Sequence, residues 1–211
     1  MSGADRVELP RYGASALASL LERRRTTRVF RGGALALSDL SSLLWAGSGM
    51  QPGGSRVVPS AHALHRLSIA VIAGDVAGLS SGAYLYSPED HALVPAAAGD
   101  HRAAIAATTL VDAEWVARAP VQVIATGEID ALTRHFEEQP PRGRRGERYA
   151  WMEAGHVSQN LYLAAADLDL PIAVVGGFDD EGLASVLHAL LPSLPHGSRP
   201  LAILPAGPSD H

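Results

Sequence analysis

A chain of 211 residues with 47% hydrophobic content can bury a full core and fits one domain better than two. A net charge of −5 gives no bulk attraction to nucleic acid, and no apolar stretch is long enough to span a bilayer, so the sequence predicts a soluble, unexported, cytoplasmic protein. Cysteine is absent and all 17 basic residues are arginine, which excludes disulfides, thiolate catalysis, iron–sulfur clusters, Schiff-base lysines and the phosphate loop that ends in Gly-Lys.

The first ten residues read as a loose arm, and Ala16, Leu17, Leu20 and Leu21 predict the apolar face of a helix over 14–24. That helix runs into Arg23, Arg24, Arg25, Thr26, Thr27 and Arg28, where guanidinium forks and hydroxyls sit together at the junction with an extended segment. Such a set suits a phosphate, because arginine pairs with its oxygens bidentately and threonine adds a neutral hydrogen bond. It also suits a solvated helix C-terminus, where arginines complement the dipole. Ser38 predicts the N-cap of a helix over 38–49, with Leu40, Leu43, Leu44 and Trp45 inward and Gly47 or Gly49 closing it. A Pro/Gly/Ser loop over 51–56 leads to Pro59, Ser60 and Ala61, where Ser60 is the expected N-cap of a short helical turn. His62 and His65 have a spacing that could hold a metal, but no nearby carboxylate or cysteine completes a set, so no metal is expected.

Strands follow over 67–73, 83–86 and 92–94, the last two joined into a hairpin by Ser87-Pro88-Glu89-Asp90. Residues 99–118 read as two helical pieces, and β-branched 120–126 as a central strand. The composition then shifts over 134–148, RHFEEQPPRGRRGER, and predicts a mobile flap with almost no core residues. Met152, Ala154, Val157, Leu161, Ala164, Ala165 and Leu168 recur at three- and four-residue steps, with Leu163 widening the stripe. They predict a long, mostly buried core helix over 149–168, stopped by Pro171. A buried strand over 172–175 ends in Gly176-Gly177, where the backbone can pass close to a flat ligand or take up positive φ while its N–H groups donate. Asp179 and Asp180 are expected to cap a helix over 181–191, and 199–204 is a closing strand.

RRTTRVF, PSAHALH after a Gly-rich loop, a Tyr-Leu-Tyr hairpin ending in HAL, EAGHVSQNLYLAAA, VGGFDD and PLAILPAG occur in that order. With these motifs, residues 23–207 resemble the FMN-dependent nitroreductase superfamily, most closely its SagB-like branch, the thiazole/oxazole azoline dehydrogenases. The resemblance implies an α+β sandwich: a central antiparallel sheet flanked by helices, in a single domain over 23–207 preceded by an arm and first helix over 1–22. It further implies an intertwined homodimer with FMN at two sites on the interface. Arg24, Arg25, Thr26 and Arg28 would hold the phosphate and ribityl chain, and Pro59, Ser60 and Ala61 would reach the flavin from the partner subunit. Val175, Gly176 and Gly177 would run beside its reactive edge, and Arg199 would add a phosphate contact.

In that branch a thiazoline or oxazoline of a modified peptide is oxidised by two electrons to the azole, and a base removes the ring proton. The Lys-Tyr pair usual before the core helix is replaced here by Arg148-Tyr149. Arginine is always protonated, so Tyr149 is the candidate base, with Glu153 and His156 as further candidates one turn on. His62 stands where the branch usually has glycine. A peptide substrate and a cyclase partner go with this reading. Two others fit the same residues: a general NAD(P)H-dependent nitro or quinone reductase, and a flavin-free scaffold subunit of a biosynthetic complex.

Overall fold

The computed structural model describes residues 6, 8–10, 12–30, 32–139 and 143–208, so most of the expected N-terminal arm lies outside them. In chain order the strands are β1 (Leu35–Ala36), β2 (Leu67–Ala73), β3 (Val76–Ala77), β4 (Gly82–Ser87), β5 (Ala92–Ala98), β6 (Val121–Gly127) and β7 (Arg199–Ala206). The helices are α1 (Ala16–Arg23), α2 (Leu37–Ser48), α3 (Arg102–Ala106), α4 (Ala113–Arg118), α5 (Ile129–Phe136), α6 (Arg145–Asp167) and α7 (Asp180–Leu190).

Five strands form one antiparallel sheet in the order β5-β4-β2-β6-β7. Successive side chains alternate across it, so Ile69, Val71 and Ala73 of β2 face one way with Val123 and Leu204, while Ala70 and Ile72 face the other with Ile124 and Ile203. The first face is covered by Leu40, Leu43 and Leu44 of α2 and by Val157, Leu161 and Ala165 of α6. Ile105 of α3, Val116 of α4 and Leu183 and Leu187 of α7 cover the second. Each such side chain, fully buried, stabilises the fold by roughly 1.5–3 kcal/mol relative to exposure. The result is the expected helix–sheet–helix sandwich.

Helix α6 is placed by close approach as well as by its apolar stripe. A Cβ on Gly47 would stand 3.3 Å from Leu161 Cδ2, and Asn160 Nδ2 donates to the Ala46 carbonyl at 3.0 Å, so α2 and α6 meet almost backbone to side chain. At the hairpin turn His91 (φ 47) is fixed between Ser41 Oγ at 2.8 Å and the Tyr86 hydroxyl at 2.7 Å, which ties β4 and β5 to α2.

The structure departs from the sequence reading at several places, each for a local reason. Helix α2 follows directly from β1 and has extended Ala36, not Ser38, at its N-cap. Trp45 is 46% exposed rather than inward, with its indole N–H turned back onto the Met50 carbonyl at 3.0 Å. On α1, Leu17 and Leu21 are exposed and only Ala18 is buried. The expected flap shrinks from both ends, because α5 runs through Phe136 and α6 begins at Arg145. Phe136 is buried, and residues 140–142 of the segment lie outside the described residues.

Helix α6 is also less buried than its stripe implies. Met152 is 52% exposed and, with Trp151, Gly155, His156 and Gln159, leaves one side of the helix uncovered by its own chain. Residues 172–175 form no continuous strand. They are tacked to β7 by two isolated bridges, Ile172 to Ala206 and Val175 to Ile203. Between them Ala173 N–H donates to the Pro205 carbonyl at 3.3 Å, and Pro205 has no N–H to return the bond.

Candidate functional site

Past α1 the chain turns extended at Arg24, and Thr27 N–H donates to the Ile172 carbonyl at 2.9 Å, which lays residues 24–28 beside the 172–177 segment. One buried side chain links the two. Tyr162 of α6 accepts a hydrogen bond from Val174 N–H at 2.9 Å, and its hydroxyl lies 3.2 Å from Thr26 Oγ1. The arrangement that serves both has Tyr162 donating to Thr26, which leaves the Thr26 hydroxyl proton free to point outward. The Arg24 guanidinium lies 5.4 Å from the centre of the Tyr162 ring, and Arg28 lies 5.8 Å from that of Trp115, which is itself stacked on Phe30. Arg25 donates to the carbonyls of Glu22 and Arg24 at the end of α1.

Among the described residues, Arg24, Arg25 and Arg28 have no carboxylate partner, whereas neighbouring Arg23 is paired with Asp167 and Asp169. Two guanidinium groups oriented by aromatic faces, Arg24 and Arg28, with a threonine hydroxyl between them in the chain and no carboxylate bonded to either among the described residues, have the chemistry that an anion calls for. Beside it, Val175 is buried against Ile203, and Gly176 is exposed with nothing within 4 Å of where its Cβ would be. Neither Gly176 nor Gly177 adopts positive φ, so what the glycines provide is an unobstructed backbone. Gly177 is held by Leu110 N–H donating to its carbonyl at 3.0 Å, and Leu110 and Val111 are 70% and 88% exposed beside it. A basic segment thus continues into a bare backbone edge flanked by apolar side chains, an arrangement that suits a flat ring with a charged tail.

A second group stands elsewhere on α6. Pro59, Ser60, Ala61, Tyr149, Met152, Glu153 and His156 line a concavity of about 230 Å³. Glu153, only 5% exposed, receives Ser60 Oγ–H at 2.8 Å and Ala61 N–H at 3.0 Å on the same oxygen, and Ser60 Oγ accepts from His65 N–H at 2.9 Å. Ser60 therefore caps no helix by its side chain; it is tied to α6 instead. The turn it opens is strained, with His62, Ala63 and His65 at φ 52, 53 and 48, a region that costs a non-glycine residue roughly 1–2 kcal/mol. The His62 ring is pinned by His135 at 3.1 Å and lies against Phe136, and Tyr149 packs its ring edge on Phe136 at 4.8 Å. Burial and then the Arg56 charge lower the pKa of His65.

Glu153 and Tyr162 are nine positions apart, which is roughly 13 Å along the helix and half a turn around it. Within one chain the two groups are separate. The Nitroreductase family profile matches residues 21–207. A Methanocaldococcus jannaschii protein bearing a nitroreductase name is 34% identical over 204 residues, which cover 95% of each chain. The chain belongs to the nitroreductase family.

Solved structures repeat this nitroreductase architecture. A Ralstonia eutropha protein, also named as a nitroreductase, aligns at a TM-score of 0.73 and 26% identity over 97% of this chain and 88% of its own. A chain of the Escherichia coli microcin synthetase McbBCD complex with truncated pro-MccB17 bound has the same fold at a TM-score of 0.66 and 20% identity, covering 99% and 79%. So has a Desulfovibrio desulfuricans protein in complex with FMN, at 0.59 and 20%, covering 94% and 92%.

Within one chain, Arg199 stands apart from the arginine group of this nitroreductase. It opens β7 opposite Gly127 and pairs with Asp130 at 2.9 Å, whereas Ile172, beside the arginines, bridges Ala206 at the far end of the strand, roughly 20 Å away at strand rise. Tyr162, Trp115 and Leu110 were missed from the sequence, since each reads as an ordinary apolar position on a helix or loop. The usable signal lay in Tyr162, because a tyrosine in a buried stripe needs a partner for its hydroxyl. Among the described residues, no three or more His, Cys, Asp or Glu side chains stand close enough to hold a metal, and no helix is long and apolar enough to cross a membrane.

Proposed function

We propose that the protein is an FMN-dependent oxidoreductase. The observation that carries this is the set of uncompensated arginines, Arg24, Arg25 and Arg28, joined through Thr26 and Tyr162 to the open backbone at Gly176. These residues fit a flavin mononucleotide: a phosphate at the guanidinium groups and Thr26, and a ring along Val175, Gly176 and Gly177. Bound there, FMN supplies two-electron redox chemistry that no side chain of this chain can provide. The protein's part is to neutralise the phosphate, hold one ring face and leave the other open to a second molecule. The FMN complex of a similar fold supports the cofactor.

We assign the second group, Pro59, Ser60, Ala61, Tyr149 and His156, to the same centre of a homodimer, contributed by the opposite subunit. Its separation from the arginines within one chain and the uncovered side of α6 both support that arrangement. The specific reading is a SagB-like dehydrogenase that oxidises an azoline or related heterocycle of a peptide, free-standing or with a cyclase partner. Tyr149 takes the ring proton, with His156 beside it on the next turn. The fold shared with a chain of the microcin synthetase complex supports this branch. A general NAD(P)H-dependent nitro or quinone reductase is favoured instead by the nitroreductase names of the relatives.

The visible spectrum of the purified protein, followed by the mass of the released chromophore, tests the cofactor. FMN near one per subunit is expected; a colourless protein that takes up no added FMN overturns the assignment. Steady-state NADPH oxidation with a quinone acceptor separates the two substrates, because rapid turnover would remove the support for the dehydrogenase.

A further inference from the structure

Glu153 lies in a candidate active site, which invites a role as proton acceptor, but its hydrogen bonds come from a hydroxyl and an amide of one neighbouring turn. Its Oε1 is committed to two donors, Ser60 Oγ–H and Ala61 N–H, and Ser60 relays a third, His65 N–H. All three bonds run toward the carboxylate, which is the terminal acceptor of the set. The turn they hold cannot rest on its own preferences: His62, Ala63 and His65 all occupy the left-handed region. Strain of this kind persists only where the surroundings over-determine it. Two restraints do so here, the carboxylate beneath residues 60, 61 and 65 and the His135 and Phe136 rings against His62.

We propose that Glu153 is a positioning residue, whose carboxylate holds the 59–65 turn in its strained conformation and so presents Pro59, Ser60 and Ala61 to the concavity. The functional consequence rests on the reading of those three residues as a flavin-facing segment. A proton acceptor and a positioning residue both lose activity on substitution, but only the second is rescued by removing the strain elsewhere. Ala63→Gly removes it at an exposed position, since glycine adopts φ near 53 without steric cost and the His62 ring keeps its contacts.

The test compares the parent protein, E153Q, E153A, A63G and the E153Q/A63G double variant by amide hydrogen exchange and by fluorescence titration with FMN, with circular dichroism as a check on the fold. E153Q should speed exchange at the Ala61 and His65 amides at least tenfold and E153A further, and the double variant should return toward the parent. FMN affinity should fall three- to tenfold in E153Q and recover with A63G. Unchanged amide protection in E153Q, or no recovery in the double variant, overturns the proposal; where E153A fails to fold, E153Q and the double variant decide. Loss and recovery of protection at constant FMN affinity supports the positioning role and refutes the flavin-facing reading of the turn.

Discussion

Replacing Tyr162 by Phe deletes one oxygen and keeps the ring. In the fold, Val174 N–H loses an acceptor at 2.9 Å and Thr26 Oγ1 a partner at 3.2 Å, while Arg24 keeps its aromatic platform. An amide at a part-buried bond, left without its partner, costs at most about 1–3 kcal/mol. At about 2–4 °C per kcal/mol for a chain of this size, the ligand-free protein should melt several degrees lower. The same deletion frees Thr26 and slackens the 172–177 segment, so FMN affinity should fall about tenfold, which corresponds to ~1.4 kcal/mol. Y162L removes the platform as well and should weaken FMN further, by about 0.5–1 kcal/mol at a partly exposed cation–π site. Differential scanning fluorimetry and FMN fluorescence titration read the two effects separately. A Y162F protein with the parent's melting temperature and FMN affinity would falsify the claim that this hydroxyl joins the arginine group to the glycine edge.

Four further outcomes are expected. Arg28→Ala should weaken FMN by about ten- to a hundredfold through loss of a charge-assisted contact worth roughly 1.5–3 kcal/mol, with the fold intact; equilibrium dialysis checks it, and unchanged retention contradicts the phosphate assignment. Tyr149→Phe should spare FMN binding yet slow anaerobic flavin bleaching by a thiazoline-containing peptide about 10²-fold or more, and an undiminished rate removes Tyr149 from the proton step. Gly146→Ala gains about 1 kcal/mol of helix propensity but drives a Cβ into the Thr133 backbone nitrogen, so overpacking of roughly 1–3 kcal/mol should win and the melting temperature drop; a rise refutes the packing. His65, its pKa lowered mainly by burial and also by Arg56, against the opposing charges of Glu153 and Glu89, binds protons less well folded than unfolded. Its contribution is therefore complete above about pH 6.5 and is lost as pH falls through the folded value, so the urea midpoint should decline below that pH and decline less in H65N, which tolerates the left-handed turn.

The sheet and the long helix were legible because their signals are local. β2 and β6 are runs of apolar and β-branched residues, and α6 carries its stripe at helical spacing. What was lost depends on contacts between distant segments. The first turn of α6, Arg145 to Arg148, has no apolar residue to announce it, and is settled by Gly146 lying against the backbone of α5. Phe136 vanished into a charged stretch for the same reason, its burial being supplied by α6. The arginines announced an anion, since residue type alone carries that chemistry. Their anchor, 136 positions along the chain in Tyr162, did not. Glu153 is the subtler case: a carboxylate one turn from a candidate base looks the same in sequence whether it awaits a proton or already holds three amide and hydroxyl donors through one turn. Trp45 and Met152 read as core by periodicity, which reports an apolar face but not what covers it.

The two-point attachment of residues 172–175 to β7 gives this part of the molecule a stability of its own. Val175 and Ile203 exchange both amide bonds with each other, while Pro205 leaves its side of the next step half made. The segment is therefore held less by ladder bonds than by the burial of Ile172, Ala173 and Val175 and by its bonds to Thr27 and Tyr162, whereas β6 and β7 are paired along their length. In hydrogen-exchange terms, the Val174 and Val175 amides should open together and far more often than those of β6, and a ligand settled against Gly176 should close that gap. The edge proposed to meet the ligand thus depends on side-chain packing, where the strands behind it depend on their ladder.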